Sequence, residues 1–364
     1  MSTGLPQHNA HSSNWRARRK LINSTSGNRQ TAQPFDAFEL RSELRPEAAA
    51  TLFLCAYLLT SVKRMQGPDT PRVEITRLDF PEGQAHESRD SADYNVSNLW
   101  TDGKPPDDYE AALSATATSK WVELSHPDPV PTLVIDSPAD LHWMKQANAD
   151  NYLGVFSHIY DEELRDTVAK YECQMPRPPI EGWFIRTQHV SLKEGMYGIG
   201  PYYTLENIIK SIVTSSHRHR PLRPADMQCT LFFFKWQPID PYREFRAFVY
   251  QNRLTALSAQ RWHKANPWLA EKSDEDLQSL TLHIVSHFYS TICERLLFLN
   301  GNYTYDLAIR EDGSVYFIEP NAYGATYSAG SSLFHWVKDE ILLSDPLTVQ
   351  LRFVAREVRL GDPD

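Results

Sequence analysis

No two of the four cysteines, Cys55, Cys173, Cys229 and Cys293, form a C-x-x-C pair, which argues against a zinc ribbon or a small disulfide scaffold and fits a reducing compartment. Long apolar runs are missing as well. The longest, Ala48 to Val62, includes Thr51, Thr60 and Ser61 and falls short of the roughly 20 residues that a membrane span needs. The expectation is a soluble, cytoplasmic protein with no membrane partner. Basic residues are the minority, 37 Lys and Arg against 46 Asp and Glu, giving a formal net charge of −9. That balance speaks against a nucleic-acid partner, and any basic site must be local. There is no G-x-x-x-x-G-K-[ST], no G-x-G-x-x-G and no G-x-S-x-G, so neither of the common glycine-rich phosphate cradles nor the hydrolase elbow is available.

What is present is a globular composition, 41% hydrophobic and 23% charged, over 364 residues. At roughly 150 residues per domain that length predicts about two lobes. Residues 1–34 are rich in Ser, Asn, Gln and His, carry Arg16, Arg18, Arg19, Lys20 and Arg29, and contain no acid. Such a segment buries too little apolar area to offset its ordering entropy, so a disordered basic tail is expected. The same composition also fits a transit peptide, but no clear apolar face accompanies the charges. A helix is expected from about Arg45 to Met65, and a long polar insertion over 82–108.

Further on, Thr132 to Ile135 reads as a strand, and Ser137-Pro138-Ala139-Asp140 as a capped helix start. Leu205, Ile208, Ile209 and Ile212 have helical spacing, ahead of the basic tetrad His217-Arg218-His219-Arg220, which reads as a solvated loop. Thr230 to Phe234 has strand length and character. Glu244 to Tyr250 and Leu254 to Leu257 flank a turn at Gln251-Asn252 and predict a hairpin, and Asp274 to Leu299 predicts one amphipathic helix.

The segment YTYDLAIREDGSVYFIEPN, from Tyr303 to Asn321, is the most informative. Asp312-Gly313 suits a two-residue type I′ loop, which would pair Glu311 with Ser314 and therefore Asp306 with Glu319. Opposed like charges between apolar strands need a cation or a shared proton. Asn321, two residues beyond Glu319, falls on the same face and adds a neutral oxygen, a donor set that suits Mg²⁺. The alternative is that both acids sit at a solvated hairpin end, or that a bulge breaks the register.

Other segments supply charge and aromatic surface. Glu244 and Arg246 share a strand face, and a guanidinium can grip phosphate through two hydrogen bonds. Arg261 lies past the paired strand. Lys235-Trp236 follows the apolar run where a strand end could offer backbone groups to a purine edge, although for Trp236 taken alone a core role is favoured. Trp183 to Arg186 reads as a strand, followed by a loop holding Ser191, Lys193 and Gly195.

Together these stretches resemble the cell division cycle protein 123 family, a branch of the ATP-grasp superfamily. FIRTQHVSLKEG, Phe184 to Gly195, is similar to the family's F-P-K-L-N-W-S-S-P-K-D-A signature, with Arg186 at its first Lys, Ser191 at its second Ser and Lys193 at its second Lys. FFKWQPIDPYREFRAFVYQNRLTALSAQR resembles the run R-K-W, E-F-R-x-F-V and Q-R-D, and YDLAIREDGSVYFIEPN and LFHW resemble the closing elements. Departures are Trp262 in place of the Asp of Q-R-D, Leu192 in place of Pro, and a longer segment after Asn321.

The resemblance implies an α+β, ATP-grasp-like fold with ATP and Mg²⁺ between two α+β lobes, one over 35–225 and one over 226–350, followed by a C-terminal tail over 351–364. It implies Arg186, Lys193 and Arg246 near the phosphates, Lys235 and Trp236 at the adenine hinge, Ser191, Glu244 and Arg261 as further cofactor-binding residues, and Asp306, Glu319 and Asn321 as metal ligands. The function implied is an assembly chaperone for the gamma subunit of translation initiation factor 2. The competing function is an ATP-dependent ligase joining a small carboxylate to an amine through an acyl phosphate.

Overall fold

The structure is a computed structural model that describes residues 71–81, 107–125, 129–151, 154–216, 220–327, 330 and 332–358. Two compact units are distinguished, Met1–Gly67 and Pro68–Asp364, and every described residue falls in the second. The expected tail and first helix lie outside the described residues, as does nearly all of the expected polar insertion.

The second unit is a mixed α+β fold with two sheets. Its elements are β1 (Arg72–Pro81), α1 (Tyr109–Ala115), α2 (Thr118–Ser125), β2 (Thr132–Ile135), α3 (Pro138–Ala149), α4 (Asp161–Tyr171), β3 (Trp183–Arg186), α5 (Leu205–Thr214) and β4 (Cys229–Lys235). These are followed by β5 (Glu244–Tyr250), β6 (Arg253–Ala259), α6 (Pro267–Ala270), α7 (Asp274–His287), β7 (Tyr303–Ile309), β8 (Val315–Ala322), α8 (Glu340–Ser344) and β9 (Thr348–Val358). The larger sheet has the order β1-β9-β6-β5-β7-β8 and the smaller β2-β4-β3. The pairs β1/β9 and β6/β9 are parallel, and the other pairs are antiparallel.

Local chemistry explains most of these elements. Ser137 caps α3 by accepting a hydrogen bond from the Asp140 N–H, and Thr204 caps α5 through the Asn207 N–H. The β4 run is continuous in apolar residues because both its faces are buried. Leu231 and Phe233 pack on α3 and α5 beside Met144 and Ile208, whereas Phe232 and Phe234 join the main core beside Trp121. In the β5–β6 hairpin, Gln251 and Asn252 have φ of 50° and 60°, the left-handed pair that a two-residue type I′ loop requires.

Three expectations change. The helix expected through Leu299 is α-helical only to His287, then opens into a π turn over Phe288–Ile292 and a 3₁₀ stretch over Cys293–Leu299. Phe288, Ile292 and Leu296 are spaced by four, a spacing that drifts around a regular helix, and a wider turn keeps all three against the core. The expected tail over 351–364 overlaps β9, which lies inside the larger sheet with Val349, Leu351 and Phe353 buried. Finally, β1 joins the strands that follow residue 243, and β4 joins the smaller sheet with β2 and β3, so the chain crosses between the sheets rather than completing one before the other.

Candidate functional site

A cross-strand row of polar side chains crosses one face of the larger sheet. Arg246 on β5 stands opposite Asp306 on β7, and Asp306 stands opposite Glu319 on β8. On the other flank Arg246 pairs with Ser258 on β6, and Ser258 with Arg352 on β9. The opposite sheet face carries Phe245, Ala247, Tyr305 and Leu307 into the core against Phe288 and Ile292. Alternation along each strand therefore forces the charged row onto the face away from that core.

The Asp306–Glu319 pairing arises from two offsets that cancel. The turn is a three-residue loop, Glu311-Asp312-Gly313, closed by the Arg310 N–H donating to the Ser314 carbonyl. Only Gly313 has a positive φ, 83°. That loop shifts the register by one, so Ile309 pairs with Val315, and a bulge between Asp306 and Leu307 shifts it back.

Cationic side chains face both carboxylates. Arg246 grips Asp306 with two parallel bonds, Nε to Oδ1 and Nη2 to Oδ2, each 2.9 Å, and donates Nη1 to the Gly330 carbonyl at 2.6 Å. Glu319 is held from the smaller sheet: Arg186 Nη2 lies 2.5 Å from Oε2 and Lys193 Nζ 3.8 Å from Oε1. Burial opposes charge on Glu319, but Arg186, then Lys193, then Arg246 outweigh it and hold its carboxyl well below the usual range. For Arg246, burial works against the charge, and Asp306 more than restores it. Glu244 behaves oppositely: burial, with Asp306 and Glu319 adding to it, outweighs Lys193 and pushes its carboxyl up to about 7.

Arg186 and Lys193 come together because the chain folds straight back after β3. The Thr187 N–H donates to the Val190 carbonyl at 2.8 Å, and Arg186 bridges to Ser191. The loop then packs on α5 through the Met196 N–H to Thr214 Oγ1 and the Tyr197 N–H to Ser211 Oγ. Gly195 sits so close to that helix that a Cβ would meet the Ser211 carbonyl oxygen at 2.3 Å. Gly195→Ala is expected to push the Lys193 loop off α5 and cost about 1–3 kcal/mol, the usual range for overpacking. Urea unfolding measures this, and an unchanged midpoint would contradict the close approach.

A cavity of about 1160 Å³ opens beside the row. Ser191, Lys193, Glu244, Arg246, Arg261, Asp306, Glu319 and Asn321 all line it, and Arg186 reaches it through Glu319. Lys235 and Trp236 are not among the lining residues. Lys235 pairs with Trp183 at the end of β4 and is exposed, and the Trp236 N–H is spent on the Gly182 carbonyl at 3.1 Å. Residues that sequence reading did not place here are Tyr109, Glu110, His189, Arg220 and Arg223. Arg220 belongs to the basic tetrad read as a solvated loop, and His189 lies within the quoted signature segment. Nothing local in α1 signalled Tyr109 or Glu110.

The donor set fits a divalent cation with a polyphosphate. Each carboxylate oxygen bound to arginine keeps a second lone pair, and Asn321 Nδ2 is buried without a partner, so its amide is free to turn its oxygen outward. Arg186 Nη1 is likewise a buried donor without an acceptor. Among the described residues no group of three or more His, Cys, Asp or Glu is arranged to hold a metal ion by itself. Two carboxylates and an amide match a Mg²⁺ site that completes its shell with phosphate and water, rather than an all-protein cage.

A family model described as D123 matches residues 204–362. That segment is similar to a D123 domain. It contains Glu244, Arg246, Arg261, Asp306, Glu319 and Asn321, whereas the D123 match begins downstream of Arg186, Ser191 and Lys193. The D123 range also takes in β9. Among solved structures, Cdc123 from Schizosaccharomyces pombe is similar at 17% identity over 67% of this chain and 97% of that chain, with a TM-score of 0.47. A RimK domain protein ATP-grasp from Sphaerobacter thermophilus DSM 20745 is similar at 14% identity over 58% and 60% of the two chains, with a TM-score of 0.27. D-alanyl-alanine synthetase A from Vibrio cholerae O1 biovar eltor is similar at 13% identity over 67% of each chain, with a TM-score of 0.29. Among curated proteins none matches.

Proposed function

We propose that this chain binds ATP with Mg²⁺ in the cavity beside the Arg246–Asp306–Glu319 row, in the manner of an ATP-grasp protein, and serves as an ATP-dependent assembly chaperone for the gamma subunit of translation initiation factor 2. The observation that carries the nucleotide reading is that row, with Arg186 and Lys193 facing it. Asp306, Glu319 and Asn321 would hold the metal ion, and Lys193, Arg246 and Arg261 would meet phosphate oxygens. When bound, the ion would supply positive charge that offsets the phosphate charge. The D123 match supports the chaperone reading. Among the described residues no helix is long and apolar enough to cross a membrane, in keeping with a cytoplasmic role.

A second reading, an amide-forming ligase, is favoured by the cavity's size. At about 1160 Å³ it exceeds the roughly 300–1,000 Å³ of most single-ligand pockets and leaves room for another substrate.

Calorimetry of ATP binding with and without Mg²⁺ tests the shared core of both readings. Mg²⁺ is expected to tighten binding at least about tenfold, or about 1.4 kcal/mol, and Glu319→Gln to abolish that gain. Metal-independent binding in the wild type, or an undiminished gain in the variant, would remove the site assignment. Capture of the gamma subunit supports the chaperone, whereas sustained ADP release with an acid and an amine supports the ligase.

A further inference from the structure

The lining of the cavity includes His189, Arg220 and Arg223, which the nucleotide reading does not use. Arg223 lies there with Nη2 2.8 Å from His189 Nε2. A guanidinium has no lone pair to offer, so Nε2 must be the acceptor, and the single proton of the neutral ring belongs on Nδ1. Burial and then the Arg223 charge lower the His189 pKa, which keeps the ring neutral. Its Nδ1–H is buried and has no partner. Arg220 lines the same cavity, and its Nε–H is also buried without a partner.

Arg223 differs from these two. Its charge is met by Glu110 at 2.8 Å and Asp226 at 3.3 Å, so it serves as a fixed post that orients His189. No carboxylate pairs with Arg220 among the described residues, and a buried donor left unmet costs free energy that a bound acceptor would recover. Two such donors, one of them cationic, in one cavity with volume to spare, call for a ligand group rich in acceptor lone pairs.

We propose that His189 Nδ1–H and Arg220 Nε–H form a second oxyanion subsite, which takes a phosphate or carboxylate group of a small molecule separate from the ATP triphosphate. This rests on the nucleotide reading for what else occupies the cavity, but not for the donors themselves. Arg223 is a positioning residue: it sets the tautomer that turns a donor toward the ligand.

The test is calorimetric titration of the full chain with inorganic phosphate and, separately, with acetate, each in the absence of nucleotide and at saturating ATP–Mg²⁺. Phosphate, acetate or both are expected to bind wild type under both conditions. Arg220→Gln and His189→Phe are expected to weaken that binding at least tenfold while changing ATP affinity less than twofold, with unaltered thermal unfolding confirming the fold. His189→Asn, which restores an N–H donor, is expected to recover part of the loss. Neither anion binding wild type, or binding equally well in the variants, overturns the subsite. A matching fall in ATP affinity overturns it too, because the donors would then hold the triphosphate. Failure of ATP to bind at all would sink the nucleotide reading alone, since the nucleotide-free titration still reads the subsite.

Discussion

Asp306→Ala is expected to destabilise the fold by about 3–5 kcal/mol and to abolish Mg²⁺-dependent nucleotide binding. The size follows from what is left behind: Arg246 is largely buried in the sheet face, and among the described residues Asp306 is the one carboxylate that it hydrogen-bonds. Removing one partner of a buried ion pair strands the other charge at that cost. Replacing both partners with apolar side chains, as in Arg246→Met with Asp306→Leu, removes the stranded charge and is expected to recover most of the stability, since such exchanges are often neutral or better. Nucleotide binding is not recovered in the double variant. Urea unfolding and ATP calorimetry on the three proteins separate the two roles. Equal instability of the single and double variants would contradict the stranded-charge account, and nucleotide binding by the double variant would contradict the site.

The same pair shows what the sequence could reveal. Opposed carboxylates between apolar strands call for positive charge, and the sequence offered a metal ion for it without showing that arginines also face the pair, because β5 could not be placed beside β7. Once it is, Arg246 falls directly across from Asp306, and Arg186 arrives from the other sheet. The Asp306–Glu319 register was found through a turn that does not form, and a bulge invisible in the residue pattern restores it. Local signals performed well where the structure is local: the caps of α3 and α5, the Gln251-Asn252 loop and the doubly buried β4 run. They failed for β9, whose alternation of Val349, Leu351 and Phe353 is plain but whose partner Glu74 lies at the other end of the chain from Gln350. They failed also for part of the cavity lining, because Tyr109, Glu110 and Arg220 meet only in three dimensions.

Raising the pH from about 5 to 8 is expected to destabilise the protein through Glu244, by up to about 3 kcal/mol. With its carboxyl raised to about 7 from an ordinary 4.5, the folded chain holds a proton that the unfolded chain has already released. Between those values the folded state binds more protons, so stability falls as pH rises. A shift of that size corresponds to about 1.4 kcal/mol per unit, which gives the upper figure. Glu319 does not confound the window. Its carboxyl is lowered, so its contribution is complete above the unfolded value and is lost only as pH falls well below it. Glu244→Gln keeps the shape and loses the titration, so it is expected to match wild type near pH 4 and to exceed it by about 2–3 kcal/mol at pH 8. Urea midpoints across the range decide the matter: parallel curves for the two proteins would mean that Glu244 ionises normally and that neither burial nor its acidic neighbours raise its carboxyl.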